Sequence, residues 1–169
     1  MRSSSVPASS AQVIARYLIG LRPILVDACT VRNAWVKALG VVINEARSGD
    51  APRVARKAGK LGSDFAPAFR GVRTRIDQLN APPECDVCHA AVRSWTEALI
   101  RSCEELDNVG RTIHMGGLRI AQDYLTDGRV QAQRFNDEYA RLSRELRQRV
   151  AIARQRGAVL PGRRQASPS

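Results

Sequence analysis

Aromatic residues are scarce in this chain of 169 residues, where they make up only 5% of the sequence. The core of a β-sandwich is rich in aromatic and β-branched side chains, whereas an aliphatic, alanine-rich core is typical of packed helices. No segment alternates apolar and polar residues over a strand length, and no Asn-Gly or Asp-Gly turn joins two β-rich segments. The sequence therefore predicts an all-α fold.

Long apolar runs are also absent. No run approaches the ~18 apolar residues of a membrane span, and Arg16 and Arg22 interrupt the apolar stretch from Val13 to Leu25. A secretory signal needs an uninterrupted apolar region, so this stretch does not fit one. We expect a cytoplasmic protein without a transmembrane segment, whose four cysteines are reduced.

The motifs of common enzymes are missing as well. The chain has no glycine-rich phosphate loop, no His-Glu-x-x-His sequence and no pair of Glu-x-x-His motifs for a di-metal site. No nucleophile lies at a suitable spacing from a general base. We expect no enzymatic activity and no cofactor, and a structural or protein-interaction role with an unknown protein partner.

Four helical segments account for most of the chain. Apolar residues recur at alternating steps of three and four, the spacing of coiled coils and of helices packed at a shallow angle. We predict an antiparallel up-down four-helix bundle over residues 11–156, preceded by a flexible N-terminus (residues 1–10) and followed by a disordered basic tail (residues 157–169).

Prolines and glycines predict where the helices are interrupted. Pro23 predicts a kink or a late start in the first helix, and Pro67 a bend or split in the second. Pro82-Pro83-Glu84 is a turn that starts the third helix, and Gly110 is expected to end it. Asp127-Gly128 is a possible break in the last segment, which would then form two helices.

Cys85-Asp86-Val87-Cys88-His89 is the most specific motif in the chain. Two cysteines three apart and an adjacent histidine match the attachment pattern of haem c, in which Cys85 and Cys88 would form thioether bonds and His89 would bind iron. On a helix, however, Cys85, Cys88 and Cys103 share one apolar stripe with Trp95 and Leu99. Since free cysteine behaves as a small apolar residue, we favour a role in core packing over a c-type haem electron-transfer protein.

A zinc or iron–sulfur site is a second alternative for these cysteines. Cys29, Cys85, Cys88 and Cys103 could contribute thiolates, together with His89. A structural zinc site usually combines two closely spaced ligand pairs, and only one pair is present here. We therefore assign no metal site.

Only three of the 27 basic residues are lysine, and the net charge is +11. Positive charge at a helix C-terminus is favourable in its own right. The excess also suggests an alternative function as a basic module that binds nucleic acid or another polyanion without sequence preference. The candidate residues lie near the C-terminus, where only Glu145 opposes them: Arg141, Arg144, Arg147, Arg154, Arg156, Arg163 and Arg164.

Several short motifs carry a resemblance to known proteins. They are Pro82-Pro83-Glu84 followed by His89, Tyr17-Leu18 followed by Leu21-Arg22-Pro23, and Phe135-Asn136 with Tyr139. In this respect the chain resembles small, uncharacterised bacterial helical-bundle proteins. The resemblance implies a helical bundle with aliphatic core residues at the positions of Cys85 and Cys88, and it implies no particular activity.

Overall fold

A computed structural model describes residues 10–158 of the chain. It contains four α-helices: α1 (Ser10–Glu45), α2 (Ala51–Asp77), α3 (Asp86–Thr112) and α4 (Gly117–Ala158). A short 3₁₀ turn, Pro83–Cys85, leads into α3. No strand occurs among the described residues, so the predicted all-α class is confirmed.

The helices form an antiparallel four-helix bundle, as predicted. The helix α3 is packed extensively between α2 and α4, and α1 packs mainly on α2 with a smaller contact to α4. The core is aliphatic apart from a few aromatic rings, among which Trp35 of α1 meets Phe69 of α2 edge-on. No helix among the described residues is long and apolar enough to cross a membrane.

Glycines bring α2 and α3 into close contact. A Cβ atom on Gly59 would lie 2.8 Å from the Cα atom of Gly110, and one on Gly62 would lie 2.2 Å from the carbonyl oxygen of Cys103. The prediction that Gly110 ends the third helix is wrong, because α3 continues to Thr112 and Ile113 caps it in a left-handed conformation (φ 56°). Gly110 serves close packing instead.

The structure contradicts a late start at Pro23, a split at Pro67 and a break at Gly128. The helix α1 starts at Ser10, well before Pro23, and α2 is not split at Pro67. Both prolines are exposed, and on the solvent side water can bind the carbonyl groups that lose a helical partner. The helix α4 is also single and passes through Gly128, which packs against Trp95 and Ala98 of α3.

The ends of the bundle differ slightly from the predicted bounds. Ser10 belongs to α1, and α4 extends to Ala158, two residues beyond the predicted end of the domain. Residues 1–9 of the predicted flexible N-terminus (residues 1–10) lie outside the described residues, as do residues 159–169 of the predicted basic tail (residues 157–169), including Arg163 and Arg164.

Candidate functional site

The Cys85–His89 motif lies at the start of α3, where its two thiols point into the core. Cys85, in the 3₁₀ turn, is 0% exposed, and Cys88, in the first turn of α3, is 1% exposed. Burial raises the pKa of Cys85 to about 11 and that of Cys88 to about 12. Cys103 is equally buried, and desolvation raises its pKa to about 12. Such thiols remain protonated at neutral pH, which makes them poor nucleophiles and poor metal ligands.

His89 lies at the edge of this cysteine stripe and contacts α1. Its Nδ1 atom is 3.1 Å from the hydroxyl oxygen of Tyr17, which is buried. Burial, followed by the nearby charge of Arg93, lowers the pKa of His89. Burial also raises the pKa of Tyr17. The pair is therefore neutral around pH 7 and joins α1 to α3. This contact explains the position of His89 without a role as an iron ligand.

Metal-ligating side chains do not converge in the described part of the chain. No group of three or more His, Cys, Asp or Glu residues there is arranged to hold a metal ion. All four cysteines are free; Cys29 is exposed on α1, whereas the other three are buried. The motif that was most specific in the sequence thus corresponds to a packed corner of the bundle.

A cleft with a volume of about 440 Å³ lies between α1 and α4. Its floor is formed by α3, through Val92, Trp95 and Leu99. Its walls follow residues 25–33 of α1 and residues 125–136 of α4. At 1.5 Å per residue these walls are about 12 and 16 Å long, or two to three helical turns. The apolar wall residues are Leu25, Leu125, Ala132 and Phe135.

Two arginines line this α1–α4 cleft, one on each wall. Arg32 is partly buried on the α1 wall, and its recorded hydrogen bond goes to the neutral amide of Asn33, at 3.1 Å. Arg129 is exposed on the α4 wall and has no hydrogen bond or ion pair with any described residue. No carboxylate lines the cleft within residues 10–158. The cleft is therefore apolar at its floor and positive at its margins.

The C-terminal arginines divide into two groups. Arg141 pairs with Glu138 and Glu145, and Arg149 also pairs with Glu145. The other described candidates, Arg144, Arg147, Arg154 and Arg156, are exposed and have no ion pair among residues 10–158. At 100° per residue, Arg144, Arg147 and Arg154 fall within an arc of about 80° on the solvent side of α4. Within the predicted anion-binding set, Arg141 is therefore engaged in intrahelical ion pairs, whereas the other described arginines remain available to a ligand.

The cleft residues were not predicted from the sequence. Arg32 and Arg129 are not among the residues that the sequence singles out as candidates. One signal was available: Leu25, Cys29 and Arg32 follow one another at steps of four and three, so Arg32 continues an apolar row on one side of α1. Nothing local indicates that α1 and α4 diverge there.

Fold and site together define a small all-α bundle with a cleft between α1 and α4 that carries an arginine on each wall. Comparison of the chain with protein-family models, curated proteins and solved structures gave no match. The resemblance to small bacterial helical-bundle proteins therefore stays a prediction.

Proposed function

We propose that this protein is a non-enzymatic interaction module that binds an amphipathic helical segment of a partner protein in the α1–α4 cleft. One observation carries the proposal: two antiparallel walls of the bundle present the partly exposed apolar side chains of Leu25, Leu125 and Phe135 above a nearly buried apolar floor. Amphipathic helices bind in such grooves by placing apolar residues at helical spacing against the walls. The two- to three-turn length of the walls suits a short helix.

The cytoplasm is the proposed location. All four thiols are free in the structure, a state that a reducing compartment maintains. Three of them also lie in the core, where oxidation would require unpacking of α3.

A thiol in the cleft provides the test. Cys29 lines the cleft and is the only exposed cysteine among the described residues, so maleimide should modify it first. The probe is a helical peptide of about 14 residues with leucines on one face and glutamines on the other. We expect saturating peptide to slow modification of Cys29 and to change the fluorescence of Trp95.

Matched tryptophan substitutions locate the binding site. Ala132 lies on the cleft wall, so Ala132→Trp should fill the cleft and abolish protection of Cys29. Ala34 is exposed on α1 outside the cleft, so Ala34→Trp should leave protection unchanged. Circular dichroism checks that both variants are folded. Equal protection in both variants, or no protection in the parent protein, would show that the cleft is not the docking site.

Polyanion binding is a second candidate function. The observation that favours it is the solvent-facing group Arg144, Arg147 and Arg154, which no described carboxylate neutralises. Phosphate contacts by such residues give affinity that falls steeply with salt. The triple change of these arginines to glutamine should lower the salt concentration at which heparin releases the protein. Elution unchanged relative to the parent protein would exclude this face as the binding element.

The haem c alternative gains no support from the geometry. Thioether formation would need both thiols of Cys85 and Cys88 at the surface of a haem pocket, and both are enclosed in the core. Co-expression with a haem c maturation system should therefore give protein without a Soret band. A covalently bound haem in the purified protein would reverse this assignment.

A further inference from the structure

We infer that the segment bound in the α1–α4 cleft is acidic along its polar margins, with carboxylates that pair with Arg32 on one wall and Arg129 on the other. This inference rests on the proposed function and names the chemistry of the partner. The juxtaposition that carries it is two guanidinium groups without carboxylate partners on opposite walls of one apolar cleft.

Arg32 is the stronger of the two observations. Its side chain is partly buried, and its unpartnered nitrogens still reach the cleft opening, since none of them is a buried atom. The acceptor that it has is an amide oxygen of the adjacent residue, Asn33. Several N–H donors of Arg32 therefore remain free for a ligand, and a carboxylate is the group that matches their planar geometry.

No carboxylate of the described residues pairs with Arg32 or Arg129. Asp27, the nearest acid along α1, pairs with Arg75 of α2 at 2.7 Å. On α4, Asp137 accepts a hydrogen bond from Gln133, and Glu138 pairs with Arg141. Asp123 and Asp127 of α4 do not line the cleft and form no ion pair with Arg129. Arg129 is left as an exposed cation beside the apolar wall. Because the protein carries a net charge of +11, long-range attraction also favours an acidic partner.

The arrangement also sets the form of the partner. The partly exposed apolar walls accept side chains from one face of a helix, and Arg32 and Arg129 flank that face on both sides. A helix with apolar residues at i, i+3, i+4 and i+7 and glutamates at the flanking positions satisfies both features at once. A basic helix of the same pattern would place like charges against the two arginines.

Three peptides of equal length and identical apolar face test the inference. Their flanking positions carry glutamate, glutamine or lysine, and affinity is measured by titration of the full-length protein. We expect the glutamate peptide to bind about tenfold more tightly than the glutamine peptide, the effect of two partly exposed ion pairs. The lysine peptide should bind most weakly, and added salt should reduce the differences.

Arginine variants separate the ion pairs from general charge. Arg32→Gln and Arg129→Gln should each reduce the preference for glutamate over glutamine, and the double variant should abolish it. Arg134→Gln is the matched control, because Arg134 is exposed on α4, has no described ion pair and lies outside the cleft. It removes the same charge and should keep the preference.

The outcomes distinguish this inference from the proposed function. Equal binding of the glutamate and glutamine peptides, or an equal loss of preference in Arg134→Gln, overturns the acidic assignment and leaves the cleft as a helix site. Binding of none of the peptides overturns the proposed function and the inference with it. Binding of dodecanoate with protection of Cys29, in the absence of peptide binding, assigns the cleft to a small anionic amphipath instead.

Discussion

Replacement of Gly62 by alanine is a stringent test of the contact between α2 and α3. A Cβ atom at this position would lie 2.2 Å from the carbonyl oxygen of Cys103 and 2.7 Å from the backbone nitrogen of Asp107. Ordinary contact begins near ~3.5 Å, so α2 would have to move away from α3 by about an ångström. Both contacts are backbone atoms, which cannot rotate out of the way.

Two effects of opposite sign determine the magnitude. Alanine is favoured over glycine inside a helix by about 1 kcal/mol, whereas overpacking of a close contact costs about 1–3 kcal/mol and occasionally more. The new Cβ atom would clash with two backbone atoms, and the contact between α2 and α3, the most extensive in the bundle, would have to open. We therefore expect an overpacking cost at the upper end of that range of about 1–3 kcal/mol. The net loss in the free energy of unfolding should be about 2 kcal/mol, which lowers Tm by roughly 4–8 °C for a chain of this size.

Gly71 of the same helix supplies the control. A Cβ atom there would meet nothing within 4 Å, so Gly71→Ala should gain stability, by about 0.5–1 kcal/mol. Urea unfolding followed by far-ultraviolet circular dichroism measures both variants against the parent protein. If Gly62→Ala proved as stable as Gly71→Ala, the close approach of α2 and α3 described above would be incorrect.

Three further substitutions probe single buried groups. Burial raises the pKa of the Cys88 thiol from its ordinary 9.0 to about 12, so through this thiol the free energy of unfolding should fall by about 1.4 kcal/mol per pH unit between pH ~9 and ~12. Cys88→Ala should remove this part of the alkaline loss and leave the parts due to Cys85 and Cys103; an unchanged pH slope in urea unfolding would contradict us. Tyr17→Phe should cost about 1 kcal/mol by removing the contact with His89, measured by thermal unfolding. Ser102→Ala should cost about as much, because the buried hydroxyl donates to the carbonyl of Ala121 at 2.6 Å; no loss would mean that water replaces this bond.

Much of the fold could be predicted from local pattern. The apolar steps of three and four predicted four helices, and the same periodicity placed Cys85, Cys88 and Cys103 in the core, where the structure has them. Glycine and proline were harder to interpret. A glycine that ends a helix and a glycine that permits close packing look alike in sequence, and only the position of Gly59 opposite Gly110 distinguishes them.

The candidate site could not be predicted in the same way. The two walls of the cleft are about a hundred residues apart in the chain, and its existence depends on how far α1 and α4 diverge. Helical periodicity gives the direction of a side chain but not the distance to the next helix. The contact between Tyr17 and His89 spans 72 residues for the same reason.

The unequal anchoring of α1 has a consequence for motion. Since α2, α3 and α4 pack extensively through α3, whereas α1 is held mainly by α2, amide hydrogens of α1 should exchange with solvent sooner than those of α3. The helix with the weakest attachment is also one wall of the cleft, so the width of the cleft can change while the other three helices remain folded. A cleft of variable width would bind helical segments whose side chains differ in size.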